Sequence, residues 1–121
     1  MANIILNTKT YSGAGVTNGI ARYVERSLGV AGGFSNLTAL VKESVKETLV
    51  RWRLAIPVVQ TESTACACPG ALLRTHRVEI SVQFAPNTPA AEREDVLLRI
   101  PSLIGTTEFE TSVSDLLTPA G

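Results

Sequence analysis

Two stretches of the chain alternate between apolar and more polar positions. In the first, Val50, Trp52, Leu54 and Ile56 face one way, and Leu49, Arg51, Arg53 and Ala55 the other. In the second, Val78, Ile80, Val82 and Phe84 oppose Arg77, Glu79, Ser81 and Gln83. A period of two places successive side chains on opposite faces of a pleated strand, so both runs predict strands with one wet face. Pro57 lacks the N–H that a ladder needs, and predicts that the first strand ends, bulges or lies at an edge nearby. Between the two runs, Thr61 to Gly70 is small and polar and predicts an exposed loop. Ile4 to Leu6 predicts a short strand, and Gly13 and Gly15 a turn.

Beyond residue 88 the period changes. Thr88 suits a helix N-cap and Pro89 the first helical position, with Glu92, Glu94 and Asp95 near the positive end of the helix dipole. Val96, Leu97, Ile100, Leu103 and Ile104 then form one apolar stripe at helical spacing. Pro101 should kink this helix or end its regular part, and Gly105 is a plausible stop. A second short helix, capped by Thr106 or Thr107, places Phe109, Val113, Leu116 and Leu117 on one face, with Pro119 ending it. The two helices are expected over about residues 89–104 and 107–117.

The middle of the chain is ambiguous. Leu37, Leu40, Val41, Ser44, Val45, Thr48, Leu49 and Trp52 fit a helical stripe, as do Ile20, Val24 and Leu28. Residues 38–43 also fit a strand, with Thr38, Leu40 and Lys42 opposite Ala39, Val41 and Glu43. Periodicity alone favours helix for both segments. Neither repeats nor a linker interrupt the chain, so a single domain over residues 1–121 is expected, with strands inside about residues 3–85 and the helices after them. Strands followed by terminal amphipathic helices point to an α+β layer arrangement. The helices would be roughly 24 and 15 Å long at 1.5 Å per residue. They would cover the apolar face of a sheet poorly unless a second subunit contributed, which makes a dimer a reasonable expectation.

Charge adds one feature that the totals hide. The chain has 11 basic and 11 acidic side chains, a formal balance of zero. Residues 1–89 nevertheless hold nine basic groups against five acids, and residues 90–121 two against six. A basic body and an acidic C-terminal section can present opposite potentials on opposite surfaces. Met1 to Thr10 is too polar for a signal peptide, and no stretch approaches the ~20 apolar residues that span a bilayer. A soluble protein without a membrane partner is expected.

In order and spacing, several segments together resemble the coat proteins of the single-stranded RNA phages, the levivirus-like group. They are Thr17-Asn18-Gly19-Ile20-Ala21, the strand Val50 to Pro57, the small-residue loop with its two cysteines, Arg77 to Val82, and the tail from Asn87-Thr88-Pro89 through Leu116-Leu117-Thr118-Pro119. No single motif is specific; the resemblance lies in their sequence over about residues 17–119. It implies an antiparallel sheet of about five strands followed by two C-terminal helices, in an interlocked dimer whose helices lie on the partner's sheet. It overrides the helical periodicity at 18–25 and 37–45, where the family has strands. It further implies a small icosahedral shell packaging single-stranded RNA, assembled in a bacterial host's cytoplasm and residing in the virion. Translational repression through an RNA hairpin is a further implied role. Only about 16 residues precede Thr17, so a single strand or a stub is expected there in place of the family's long N-terminal hairpin.

The candidate RNA-binding residues are Thr38, Lys42, Arg51, Arg53, Thr75, Arg77 and Glu79. Arg51 and Arg53 share a face, about 6–7 Å apart, close to the spacing of successive phosphates. An ordinary solvated sheet face would have the same pattern. Glu79 would repel phosphate, so pairing with an arginine or accepting from a base is expected of it. Aligned with the family's adenine pockets, the equivalent positions are Ile20, Thr38, Leu40, Arg51 and Arg53. Thr38 and Arg53 keep the expected chemistry, whereas Leu40 and Arg51 replace small hydroxyl residues. Thr75 stands where a tyrosine would stack on a base. The resemblance thus implies general RNA packaging, with hairpin recognition altered or lost.

Cys66 and Cys68 are open to several readings. A disulfide between them would be strained, and a metal site with His76 lacks a fourth ligand. Free thiols are a third possibility, and the resemblance points to a fourth, disulfides between subunits. No cofactor, metal or small-molecule substrate is expected. No nucleophile motif or phosphate loop is present, and the carboxylates lie mainly on helical faces, which argues against an enzyme. The competing reading is a small dimeric sheet-platform RNA-binding protein that forms no shell. Such platforms stack bases on aromatics, and Trp52 points away from the arginines.

Overall fold

The computed structural model describes residues 2–26, 34–59 and 72–119. Eight elements follow one another: β1 (Ile4–Leu6), β2 (Lys9–Thr17), β3 (Ile20–Glu25), β4 (Ser35–Glu43), β5 (Thr48–Val59), β6 (Leu72–Phe84), α1 (Ala90–Ile104) and α2 (Thr107–Ser114). The strands form one sheet in chain order, β1 to β6. The chain divides into two compact units, Met1–Gln83 and Phe84–Gly121. The first contains the sheet and the second the two helices.

The sheet has six strands where about five were expected, because the N-terminus is neither a single strand nor a stub. It is a hairpin, short but complete. Leu6 pairs with Lys9 across a two-residue turn in which Asn7 and Thr8 both have positive φ. A second such turn, Asn18 (φ 54°) and Gly19 (φ 78°), joins β2 to β3, with Thr17 opposite Ile20. Two consecutive left-handed residues match the right-handed twist of the flanking strands, and Asn-Gly meets that need at little steric cost. Gly13 and Gly15, expected to form a turn, lie within β2 instead. The β2–β3 register shifts between them, and Gly15 takes φ 103°, so the glycines serve a bulge in the strand.

Segments 20–25 and 35–43 are strands, as the family resemblance implied and against their helical spacing. Their registers run Ile20 with Leu40, Arg22 with Thr38 and Val24 with Asn36. Pro57 does not end or interrupt β5, which continues to Val59. In the second unit, α1 passes through Pro101 rather than stopping there. The proline removes the N–H that would bind the Leu97 carbonyl. Beside the gap, Ser102 Oγ donates to the Leu98 carbonyl (3.2 Å) and Gly105 N–H to that of Pro101 (3.0 Å). Thr88 is not the N-cap. Pro89 occupies that position without a side-chain bond, and Thr88 Oγ1 donates to the Ala85 carbonyl instead. Thr106 does cap α2, accepting from Phe109 N–H at 3.2 Å. That helix ends at Ser114, not near 117. Asp115 is its C-cap and Leu116 turns left-handed (φ 58°) before Pro119 is reached.

Burial within the single chain is sparse. Among the described residues, Tyr11, Val24, Leu37 and Val59 are the buried apolar ones, and no side chain is completely enclosed. Neither helix has a buried residue. The best-packed polar feature ties the N-terminal hairpin to the middle of the sheet. The Tyr11 hydroxyl and Ser35 Oγ share a buried hydrogen bond of 2.7 Å, and Ser35 donates to the Ala55 carbonyl, also at 2.7 Å. Losing Ser35 Oγ would strip the buried Tyr11 hydroxyl of this partner. Ser35→Ala is therefore expected to lower unfolding stability by about 1–3 kcal/mol, measured by urea denaturation at matched protein concentration.

Candidate nucleic-acid interface

The strand registers assign each residue to one of two faces. Arg22 pairs with Thr38 and Thr38 with Arg53, making one continuous row across β3, β4 and β5. The adjacent row is Ile20, Leu40 and Arg51. Lys42 pairs with Leu49 one step further along the same face. On the opposite face, Ala21, Ala39 and Trp52 form a row, as do Tyr23, Leu37 and Leu54. One face of the sheet thus carries the arginines, with Ile20 and Leu40 among them, and the other carries Trp52, Tyr23, Leu37 and Leu54. The cause is the period of two, which no side chain can evade without a bulge.

β6 brings an acid to the basic face. Glu79 Oε1 accepts a hydrogen bond from Arg53 Nε at 3.2 Å and forms an ion pair with Arg51, whose Nε is 3.0 Å away. Arg51 Nε also lies 3.5 Å from Ser81 Oγ. These contacts run in opposite directions along β5 and β6, as they do between antiparallel strands. The ions are far from buried, with side-chain exposures of 33% for Arg51, 60% for Arg53 and 49% for Glu79. Exposure on this scale leaves them open to water and to an incoming anion. Beside the pair is a shallow depression of about 330 Å³, lined by Asn36, Thr38, Arg53, Arg77 and Glu79, among others.

Of the residues singled out in the sequence, Thr38, Arg53, Arg77 and Glu79 meet around this depression, and Arg51 joins them through Glu79. Lys42 and Thr75 do not line it. Lys42 is four residues along its strand from Thr38, about 13 Å at the rise of a strand, and Thr75 two residues from Arg77, about 7 Å. Two residues escaped the sequence reading as site residues. Arg22 extends the Thr38–Arg53 row and Asn36 lines the depression. The alternation Ile20, Arg22, Val24 could have revealed the first, once a strand was read there. Cys66 and Cys68 lie outside the described residues. Among the described residues, no group of three or more His, Cys, Asp and Glu side chains could hold a metal ion. No helix is long and apolar enough to cross a membrane.

A six-stranded antiparallel sheet followed by two C-terminal helices matches the fold of RNA phage coat protein structures. The same fold occurs in a virus-like particle of Beihai levi-like virus 21 (TM-score 0.86, 22% identity, 100% of this chain and 98% of that one). A virus-like particle of bacteriophage NT-214 is similar (TM-score 0.87, 18% identity, 99% and 98%), as is the capsid protein of bacteriophage GA (TM-score 0.77, 12% identity, 93% of each). No curated protein matches the chain by sequence. The family model described as Levivirus coat protein matches residues 3–119. The chain belongs to that family, and is a structural coat protein rather than an enzyme.

Because both ion pairs of Glu79 are exposed, they contribute little to folding. Glu79→Gln is expected to change the unfolding free energy by less than about 1 kcal/mol, which thermal or urea unfolding of the variant would measure. A larger loss would mean that the carboxylate supports the sheet itself.

Proposed function

We propose that the chain pairs with a second copy, that these dimers close into a small icosahedral shell, and that the shell packages single-stranded RNA against its arginine-bearing sheet face. The observation that carries this reading is the separation of the two faces by strand register. Arg22, Arg51 and Arg53 lie on one side, and Trp52, Leu54 and Leu37 on the other. Apolar surface left uncovered in the single chain supports the pairing. In the sheet it includes Val78 and Ile80; in the helices it includes Leu97, Leu98, Leu103 and Val113. Exposed apolar surface on this scale marks an interface. Helices donated by a partner would cover the sheet's apolar face, both units of each chain acting as one coat-protein domain. The acidic residues of 90–121 would then face outward and the basic strands inward, where RNA phosphates need neutralising.

Contact with phosphate rather than base-specific readout is the part of RNA binding that the residues support. Arg51 and Leu40 occupy paired positions on the sheet face, where relatives are expected to carry small hydroxyl groups. Long side chains there fill space and remove acceptors, and Thr75 offers no stacking surface. Hairpin recognition, with the repression that depends on it, is accordingly weakened or lost. A hairpin from the cognate genome bound far more tightly than scrambled RNA at matched salt, with Thr38→Ala abolishing the preference, would refute this part.

Expression of the chain alone in bacteria, followed by electron microscopy and assay of nuclease-protected RNA, tests the whole proposal. Closed shells carrying host RNA are expected, while soluble dimers without shells would contradict it and favour a plain RNA-binding module. In RNA-binding titrations, replacing Arg51 and Arg53 together by alanine is expected to flatten the dependence of log affinity on log salt by at least about 0.7, the contribution of one phosphate that is no longer neutralised.

A further inference from the structure

The pairing of Glu79 with two arginines bears on how firmly the sheet face holds RNA, and this inference rests on the RNA-packaging reading above. A single oxygen, Oε1, is the ion-pair partner of both Arg51 and Arg53 and accepts a hydrogen bond from Arg53 Nε alone. Neither contact is the two-pronged arrangement in which a guanidinium presents Nε and Nη to two oxygens of one anion. All three side chains are open to solvent. A phosphate could therefore approach either arginine and offer it two oxygens where the carboxylate offers one.

We propose that Glu79 is an internal competitor of RNA phosphate: its carboxylate occupies Arg51 and Arg53 in the RNA-free chain and yields one of them when a phosphodiester binds. The exchange is one of ion pairs, with no covalent change. Its consequence is a face that grips any single-stranded RNA weakly and reversibly. Each arginine engaged by a phosphate first gives up part of its pairing with Glu79. Glu79 then sets the strength and salt sensitivity of packaging without itself touching the RNA.

Fluorescence anisotropy of a labelled oligouridylate, titrated with the full-length protein over a salt series, tests this. Uridylate has no stable secondary structure, so the readout is of phosphate binding. Glu79→Gln should tighten binding roughly three- to tenfold, the scale of one or two exposed ion pairs. It should also steepen the log affinity against log salt slope by about 0.7, equivalent to one more phosphate neutralised on a single strand. The same substitution in the Arg51→Ala, Arg53→Ala background should have little effect, because the arginines over which Glu79 competes are gone. An equal gain in that background would reduce Glu79 to a source of general repulsion and overturn the proposal. Weaker binding by Glu79→Gln would make the carboxylate a brace that holds the arginines in place, which also overturns it. If removing Arg51 and Arg53 leaves binding unchanged, the RNA-packaging reading of this face fails first, and the competitor role with it.

Discussion

An extended strand cannot choose the side on which its residues appear, and this constraint governs the rest of the molecule. Once Thr38 is registered against Arg53 and Leu37 against Leu54, every neighbour is committed to one face or the other. The apolar set that results cannot be sealed by the few side chains buried in one chain. Among the described residues, Tyr11, Val24, Leu37 and Val59 make a thin core. A chain of this length can bury about two thirds of the surface its unfolded form exposes, yet neither helix buries a residue completely. Burial of the remaining apolar surface is what the proposed second copy would supply.

The same constraint sets the electrostatics. Alternation in β5 aligns two guanidinium groups on one side, and β6 delivers Glu79 between them. Overall neutrality hides this arrangement because the compensating acids are concentrated after residue 90. Within the helical unit those acids have little local neutralisation, Asp95 with Arg99 (2.9 Å) being an exposed example. In the proposed orientation, this segregation would give the shell unlike inner and outer surfaces without a net charge on the protein.

Much of this was legible in the sequence where one period dominated. The runs in β5 and β6 alternate without interruption, and they were readable as strands with the arginines on one side. β3 and β4 misled because their apolar residues recur every four positions. Ile20 and Val24, or Leu37 and Val41, satisfy a helix of period 3.6 and a strand of period two alike. Asn18-Gly19 forms a two-residue hairpin turn before β3, a local signal that the periodicity reading did not use. β2 was obscured for a different reason: Gly13 and Gly15 resemble a turn, and the bulge between them breaks the alternation. The end of α2 was illegible because Leu116, a residue with no preference for left-handed backbone, turns the chain there. Of the site, the shared face of Arg51 and Arg53 and the pairing of Glu79 with arginine followed from spacing and charge. Arg22 and Asn36 did not, since their strands were recognisable only through family resemblance.

The orientation of the two sheet faces in the assembled particle is the claim from which the others draw their meaning. A cryo-electron microscopy reconstruction of particles formed by the chain would measure it directly. Arg22, Arg51 and Arg53 should line the inner surface against nucleic-acid density, with α1 and α2 of one subunit resting over Trp52 and Leu54 of its partner. Arginines on the outer surface, or helices that cap only their own subunit's strands, would contradict it.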